Sequence, residues 1–138
     1  PAEALQERLT NLSDQEITFQ SILDTHKGKK ILIDVWASWC GDCIAGLPDL
    51  KKLQKETPEV MYVFLSLDKN VNSWKKGIDH FQIEGDHYFM KAGKKGGLGD
   101  FLGLWWIPRY IVVSEKGEIT LFKATKITDK KILEAFKK

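Results

Sequence analysis

Cysteine is nearly absent from this chain. Cys40 and Cys43 are the only two among 138 residues, so the multi-disulfide framework of a small secreted domain is excluded and the two read as a local pair. No stretch approaches the roughly 20 apolar residues needed to cross a bilayer, and the N-terminus lacks the charged-then-apolar pattern of a signal peptide. Neither sign of charge dominates. With 21 Lys and Arg against 19 Asp and Glu, a net charge of +2 and lysines spread along the chain, no electrostatic footprint for nucleic acid stands out and no such partner is expected. Repeats, low-complexity tracts and an obvious linker are also missing. The residues present read as a soluble chain, and its opening at Pro1 rather than Met leaves room for an export signal or a membrane-tethering lipid anchor upstream, outside this chain.

What is present suits one core. A chain of 138 residues that is 43% hydrophobic and 29% charged can bury a single domain spanning 1–138, with 1–17 as an N-terminal extension, and a monomer is expected. Thr18 can cap a short helix through Thr25, and Gly28 then interrupts the chain before "KKILIDVWAS", which is apolar on both alternating faces and reads as a central buried strand. Leu47, Leu50 and Leu53 in "CIAGLPDLKKLQKE" have helical spacing, with Pro48 expected to kink the helix from within. "EVMYVFLSLD" is a second buried strand, and Asn70 or Asn72 can start a helix through Phe81. The Gly-rich "GDHYFMKAGKKGGLGDFLGL" suggests a short strand, a basic loop and one helical turn, while "RYIVVSEKGEITLF" reads as two strands joined by a turn at Gly117. An amphipathic helix from Asp129 to Lys138, with Thr128 as candidate cap, ends the chain. This alternation predicts an α/β fold built on a mixed sheet with helices on both faces.

The cysteine pair sits where the first buried strand gives way to a helix. A sulfur at that junction lies near free backbone N–H groups and the positive end of the helix dipole, which favours thiolate over thiol and marks Cys40 as the nucleophile. Cys43, one turn further, is close enough to pair with it and would point inward as the resolving thiol. Such a pair exchanges two electrons through a mixed disulfide without a cofactor. Asp34 is the one carboxylate inside Ile31, Leu32, Ile33, Val35 and Trp36. Burial would raise its pKa toward the range useful for proton transfer, which suits a base for Cys43; a local capping or hydrogen-bonding role is the plainer alternative.

"ILIDVWASWCGDC" together with "IPRYIVV" resembles the thioredoxin superfamily, and "WASWC" is most similar to the exported TlpA/ResA-type thiol–disulfide oxidoreductases. The resemblance runs from about Thr18 onward. It implies a thioredoxin fold with an insertion, here Glu84 to Leu104, before the strand that follows a cis-proline. It also implies that Cys40 attacks, Cys43 resolves and Asp34 is the buried acid, with Trp36 and Trp39 packed around the site. Pro108 would be the cis-proline facing the cysteines, and Ile107 would offer its backbone to an extended substrate. Trp39, Gly41, Asp42, Trp106, Ile107 and Pro108 are then the candidate substrate-binding residues. The implied partners are protein disulfides or dithiols and an upstream dithiol reductase, in a periplasmic or cell-envelope compartment. Without the resemblance, Pro108 reads as a trans proline opening an edge strand.

Three departures from the thioredoxin pattern stand out. Gly41-Asp42 replaces Gly-Pro between the cysteines and adds a negative charge that opposes the Cys40 thiolate. Phe64 aligns with a lysine that thioredoxins place beside the buried acid, so Asp34 lacks a cationic neighbour. Trp105 and Trp106 precede the proline and Arg109 follows it; the tryptophans are a docking lip or core, and two adjacent ones cannot share one strand face. Lys91, Lys94 and Lys95 read as a solvated loop rather than a binding patch. Two other functions remain open at this level. A Cys-x-x-Cys pair can hold copper(I) as a metallochaperone does, and a static disulfide would suit a redox-inactive docking module. Structural zinc is disfavoured because His26, His80 and His87 have no ligand-like spacing to the cysteines.

Overall fold

The computed structural model describes residues 2–138. In chain order it contains α1 (Ala2–Gln6), β1 (Arg8–Asn11), β2 (Glu16–Thr18), α2 (Phe19–Thr25), β3 (Ile31–Trp36), α3 (Gly41–Ala45), α4 (Leu47–Glu56), β4 (Met61–Ser66), α5 (Val71–Phe81), β5 (Asp86–Phe89), a 3₁₀ turn (Gly93–Lys95), α6 (Gly97–Leu102), β6 (Arg109–Val113), β7 (Ile119–Ala124) and α7 (Lys130–Phe136). The seven strands form one sheet in the order β2-β1-β5-β4-β3-β6-β7. Strands β3, β4 and β5 run parallel, while β6 and β7 add antiparallel on one side and β1 and β2 on the other.

The apolar run of β3 lies inside the sheet, between β4 and β6, because it can bury both faces. All six of its residues are buried. Leu32 and Trp36 join Cys40, Cys43, Leu50, Phe64, Trp74 and Ile132 in one layer, so α3, α4, α5 and α7 cover that face. Ile31, Ile33 and Val35 join Ala4, Ile22, Val63, Leu98 and Leu102 in the other, covered by α1, α2 and α6. Asp34 is in phase with Leu32 and Trp36 and therefore belongs to the cysteine face.

Most local signals act as expected. The Thr18 side chain accepts from the Ser21 N–H to cap α2, and Asn70, rather than Asn72, caps α5 by accepting from the Ser73 N–H. Three expectations need correction. Pro48 does not kink a continuous helix: α3 stops at Ala45, Gly46 intervenes, and Pro48 is the second residue of α4, where a missing N–H leaves no bond unmade. Thr128 does not cap α7; Asp129 does, its carboxylate accepting from the Lys131 N–H, a stronger acceptor placed one residue nearer the helix. Trp105 and Trp106 are not on a strand at all but in the bend before β6, so face alternation does not apply and both are exposed.

The segment before Thr18, to which the sequence pattern assigns no element, forms α1 and the β1–β2 hairpin. β1 pairs with β5 through Thr10 opposite Phe89. Glu7 is buried and its carboxylate accepts from the Leu98 N–H at the start of α6, 2.9 Å away, tying this segment to the insertion.

Candidate active site

Cys40 and Cys43 are joined as a disulfide, their Cα atoms 5.2 Å apart. Cys40 is the N-cap of α3 and its sulfur accepts from the Cys43 N–H at 3.2 Å. Both residues are nearly buried, Cys40 at 7% exposure and Cys43 at 4%, which leaves Cys40 the more accessible. Across from it, the Ile107–Pro108 peptide bond is cis, and the Ile107 carbonyl oxygen lies 3.7 Å from the Cys40 sulfur. Two segments separated by 67 positions thus meet at the sulfur.

Asp34 is 4% exposed, and one of its carboxylate oxygens has no hydrogen-bond partner among the described residues. Loss of water pushes its pKa up to about 8 from 3.8. In the sheet it stands opposite Phe64 on one side and Tyr110 on the other, so neither strand neighbour supplies a cation. Burial also raises the Tyr110 phenol far above its ordinary value, and the Asp34 charge adds to that rise. A second buried carboxylate has the opposite environment. Asp68, just past β4, accepts from the Ser38 N–H at 3.0 Å, the Ser38 hydroxyl at 2.6 Å and the Ser66 hydroxyl at 2.7 Å. It holds the backbone two residues before Cys40. The sequence pattern did not single it out, although "SLD" carries a related signal, an acid at the end of an apolar run where Asp34 lies within one.

The other side of that loop is fixed by close approach. A Cβ added at Gly77 of α5 would lie 2.6 Å from the Ser38 Cβ and 3.2 Å from the Trp36 ring, so the helix seats directly on the loop. Arg109, noted in the sequence only as a departure, is 2% exposed. Its guanidinium donates to the Gly103 carbonyl at 3.1 Å and to the Leu102 carbonyl, and it lies 5.3 Å over the Phe122 ring. It anchors the end of α6 and the bend that carries both tryptophans.

The candidate substrate-binding residues surround the disulfide. Trp39, Trp105 and Trp106 are 64%, 86% and 61% exposed, whereas Trp36 is buried in the core. Trp39, Trp106 and Ile107 line a cleft of about 420 Å³, and Asp42, Trp106, Pro108 and Tyr110 line a second of about 330 Å³, so Trp106 borders both. Gly41 and Asp42 are exposed at the start of α3.

The Redoxin family model matches residues 5–135. Thioredoxin-like protein YneN of Bacillus subtilis is 31% identical over 72% of this chain and 59% of its own length. Thiol:disulfide interchange protein DsbE of Haemophilus influenzae is 29% identical over 94% of this chain and 66% of its own length. The chain thus spans 59% and 66% of these curated relatives. Among solved structures, a Bacteroides vulgatus protein described as a thiol-disulfide oxidoreductase superposes with a TM-score of 0.76 at 32% identity, covering 94% of this chain and 82% of the other.

Proposed function

This chain belongs to the Redoxin family, among the TlpA/ResA-like members of the thioredoxin superfamily, and we propose that it is a protein thiol–disulfide oxidoreductase acting as a reductant in an exported compartment. The observation that carries the reading is the meeting of the Cys40 sulfur with the Ile107 carbonyl 3.7 Å away. An extended chain paired to the Ile107 backbone would bring its own disulfide to Cys40, the slightly more exposed of the two cysteines.

In the reduced protein the Cys40 thiolate attacks one sulfur of a substrate disulfide, forming a mixed disulfide and expelling the other sulfur as a thiolate. Cys43, losing its proton, then attacks the Cys40 sulfur. That step closes the Cys40–Cys43 disulfide and releases the second substrate thiol, so two electrons pass to the substrate. An upstream dithiol reverses the sequence on the protein and restores both thiols. Asp34 handles the proton of Cys43. With a folded pKa near 8 it is mostly protonated at neutral pH in the disulfide form, which suits donation to the Cys43 thiolate as the upstream dithiol opens the bond; the carboxylate left behind is the base for the next resolution. Trp39, Gly41, Asp42, Trp106, Ile107 and Pro108 would contact the bound chain. Support for an exported setting comes from the resemblance to exported TlpA/ResA-type proteins.

A trapping experiment tests the assignment. Cys43→Ser should accumulate mixed disulfides linked through Cys40, and Cys40→Ser should accumulate none. Adducts through Cys43 instead would reverse the roles, and a reduced protein that transfers no electrons to any disulfide would defeat the reading.

A further inference from the structure

The larger cleft beside the disulfide has a composition that the pairing chemistry does not require. Its lining combines three aromatic side chains, Trp39, Trp105 and Trp106, with four cationic ones, Lys69, Lys91, Lys94 and Lys95. All four lysines are exposed, and none lies within 4.0 Å of a carboxylate among the described residues. The one acid lining the cleft is Asp68, whose carboxylate is committed to Ser38 and Ser66. Asp100 lies beyond Lys94 and Lys95, in a separate hollow that they share with Trp105. In the second cleft, which Trp106 also borders, the sign changes: it carries Asp42 and Asp49, with Lys126 its one cation.

Clustering of this kind is not inherited from bulk charge, which is only +2 over 138 residues. It arises because the 3₁₀ turn at Gly93–Lys95 and the turn after β5 that holds Lys91 bring these lysines to the cleft that the exposed tryptophans also line. Cations with no intramolecular partner attract anionic groups, and rigid exposed indoles supply apolar contact area at little entropic cost.

We propose that the Trp39/Trp105/Trp106 cleft, with Lys69, Lys91, Lys94 and Lys95, selects extended polypeptide substrates that carry acidic residues together with an apolar or aromatic residue on one flank of the reacting cysteine. The inference rests on the oxidoreductase reading for the word substrate, but the recognition itself can be measured without turnover. The Asp42/Asp49 side would repel the same acidic flank, so the charge pattern also sets which way the segment lies across the disulfide.

Binding of short peptides with serine in place of cysteine, flanked by Glu and Phe or by Lys and Phe, can be followed by the fluorescence of the exposed tryptophans. The acidic peptide should bind about 10-fold more tightly at low salt, and the difference should shrink as ionic strength rises. In the Lys91→Glu/Lys94→Glu/Lys95→Glu variant the order should invert; circular dichroism verifies that these exposed changes leave the fold intact. Equal binding of both peptides to the native chain, or an unchanged preference in the variant, overturns the proposal. Turnover of the uncharged bis(hydroxyethyl) disulfide by the native protein is scored separately. Its absence would count against the oxidoreductase reading, while a charge-dependent binding preference would still establish the cleft.

Discussion

Phe64 stands directly opposite Asp34 in the parallel pairing of β3 and β4, and fills the space beside the acid with a ring. The ring is held on its far side by His87, stacked at a centroid distance of 5.0 Å, and a Cβ at Gly85 would approach it to 2.6 Å. Burial lowers the pKa of His87, so it does not supply a charge either. Across the sheet the row His87, Phe64, Asp34, Tyr110 therefore isolates the carboxyl from any cation. The surroundings of the Cys40–Cys43 disulfide thus include an acid whose pKa is raised by desolvation.

That isolation makes stability depend on pH. A carboxyl that stays protonated in the folded state to about pH 8 but ionises near 3.8 when unfolded binds more protons when folded. Stability should fall by up to about 1.4 kcal/mol per pH unit between those two values and level off outside them. Asp34→Asn should abolish this slope, so its advantage over the native protein grows from pH 4 to pH 8. Denaturant melts across that range measure it; parallel pH profiles of the two proteins would refute it.

Phe64→Lys offers the converse test. A cation opposite Asp34 should lower its pKa by about 1–3 units and move the acid limb of the resolution step, below which the carboxylate is no longer free to take the Cys43 proton, toward lower pH. The loss of the stacked ring against His87 should cost about 3 kcal/mol. Single-turnover kinetics against pH, with the melting midpoint recorded alongside, separate the two effects. An unmoved pH profile would show that the lysine points away.

Asp68 should matter through the loop it holds. Asp68→Ala leaves the Ser38 N–H, the Ser38 hydroxyl and the Ser66 hydroxyl without their acceptor, at a cost of about 3 kcal/mol or more. Asp68→Asn, which keeps one acceptor oxygen, should lose less. Both should slow attack by Cys40 on a protein disulfide more than on a small one, because the small reagent does not need Trp39 in place. Equal slowing would assign Asp68 a purely structural role.

Arg109→Lys tests the anchor under the tryptophan bend. A lysine ammonium cannot reproduce the planar fork that reaches both the Leu102 and Gly103 carbonyls over the Phe122 ring. The expected outcome is a loss of about 1–3 kcal/mol and greater mobility of Trp105 and Trp106. Thermal melts and the fluorescence anisotropy of the indoles report it. Unchanged anisotropy would mean that the bend is held by other contacts.

Sequence alone determined the features whose causes lie within a few residues. The Cys40–Cys43 pair at the strand-to-helix junction, the buried strand around Asp34, the cap at Thr18, an asparagine cap at either Asn70 or Asn72 and the helices on both faces follow from side-chain periodicity and local hydrogen bonding. Recognition of the motifs added the expectation of a cis bond at Pro108, which the backbone adopts. What lay beyond that reach depended on segments distant along the chain. The Cys40–Ile107 approach spans 67 positions, the Ser38–Asp68 bonds span 30, and Glu7 caps α6 across 91. The hairpin before Thr18 is stabilised by an edge it must first find, β5, so its own short strands carry little signal. Likewise, Lys91, Lys94 and Lys95 look like an ordinary solvated loop along the chain. Only the fold brings them to one cleft with three exposed indoles, because clefts are assembled from elements whose proximity no local pattern encodes.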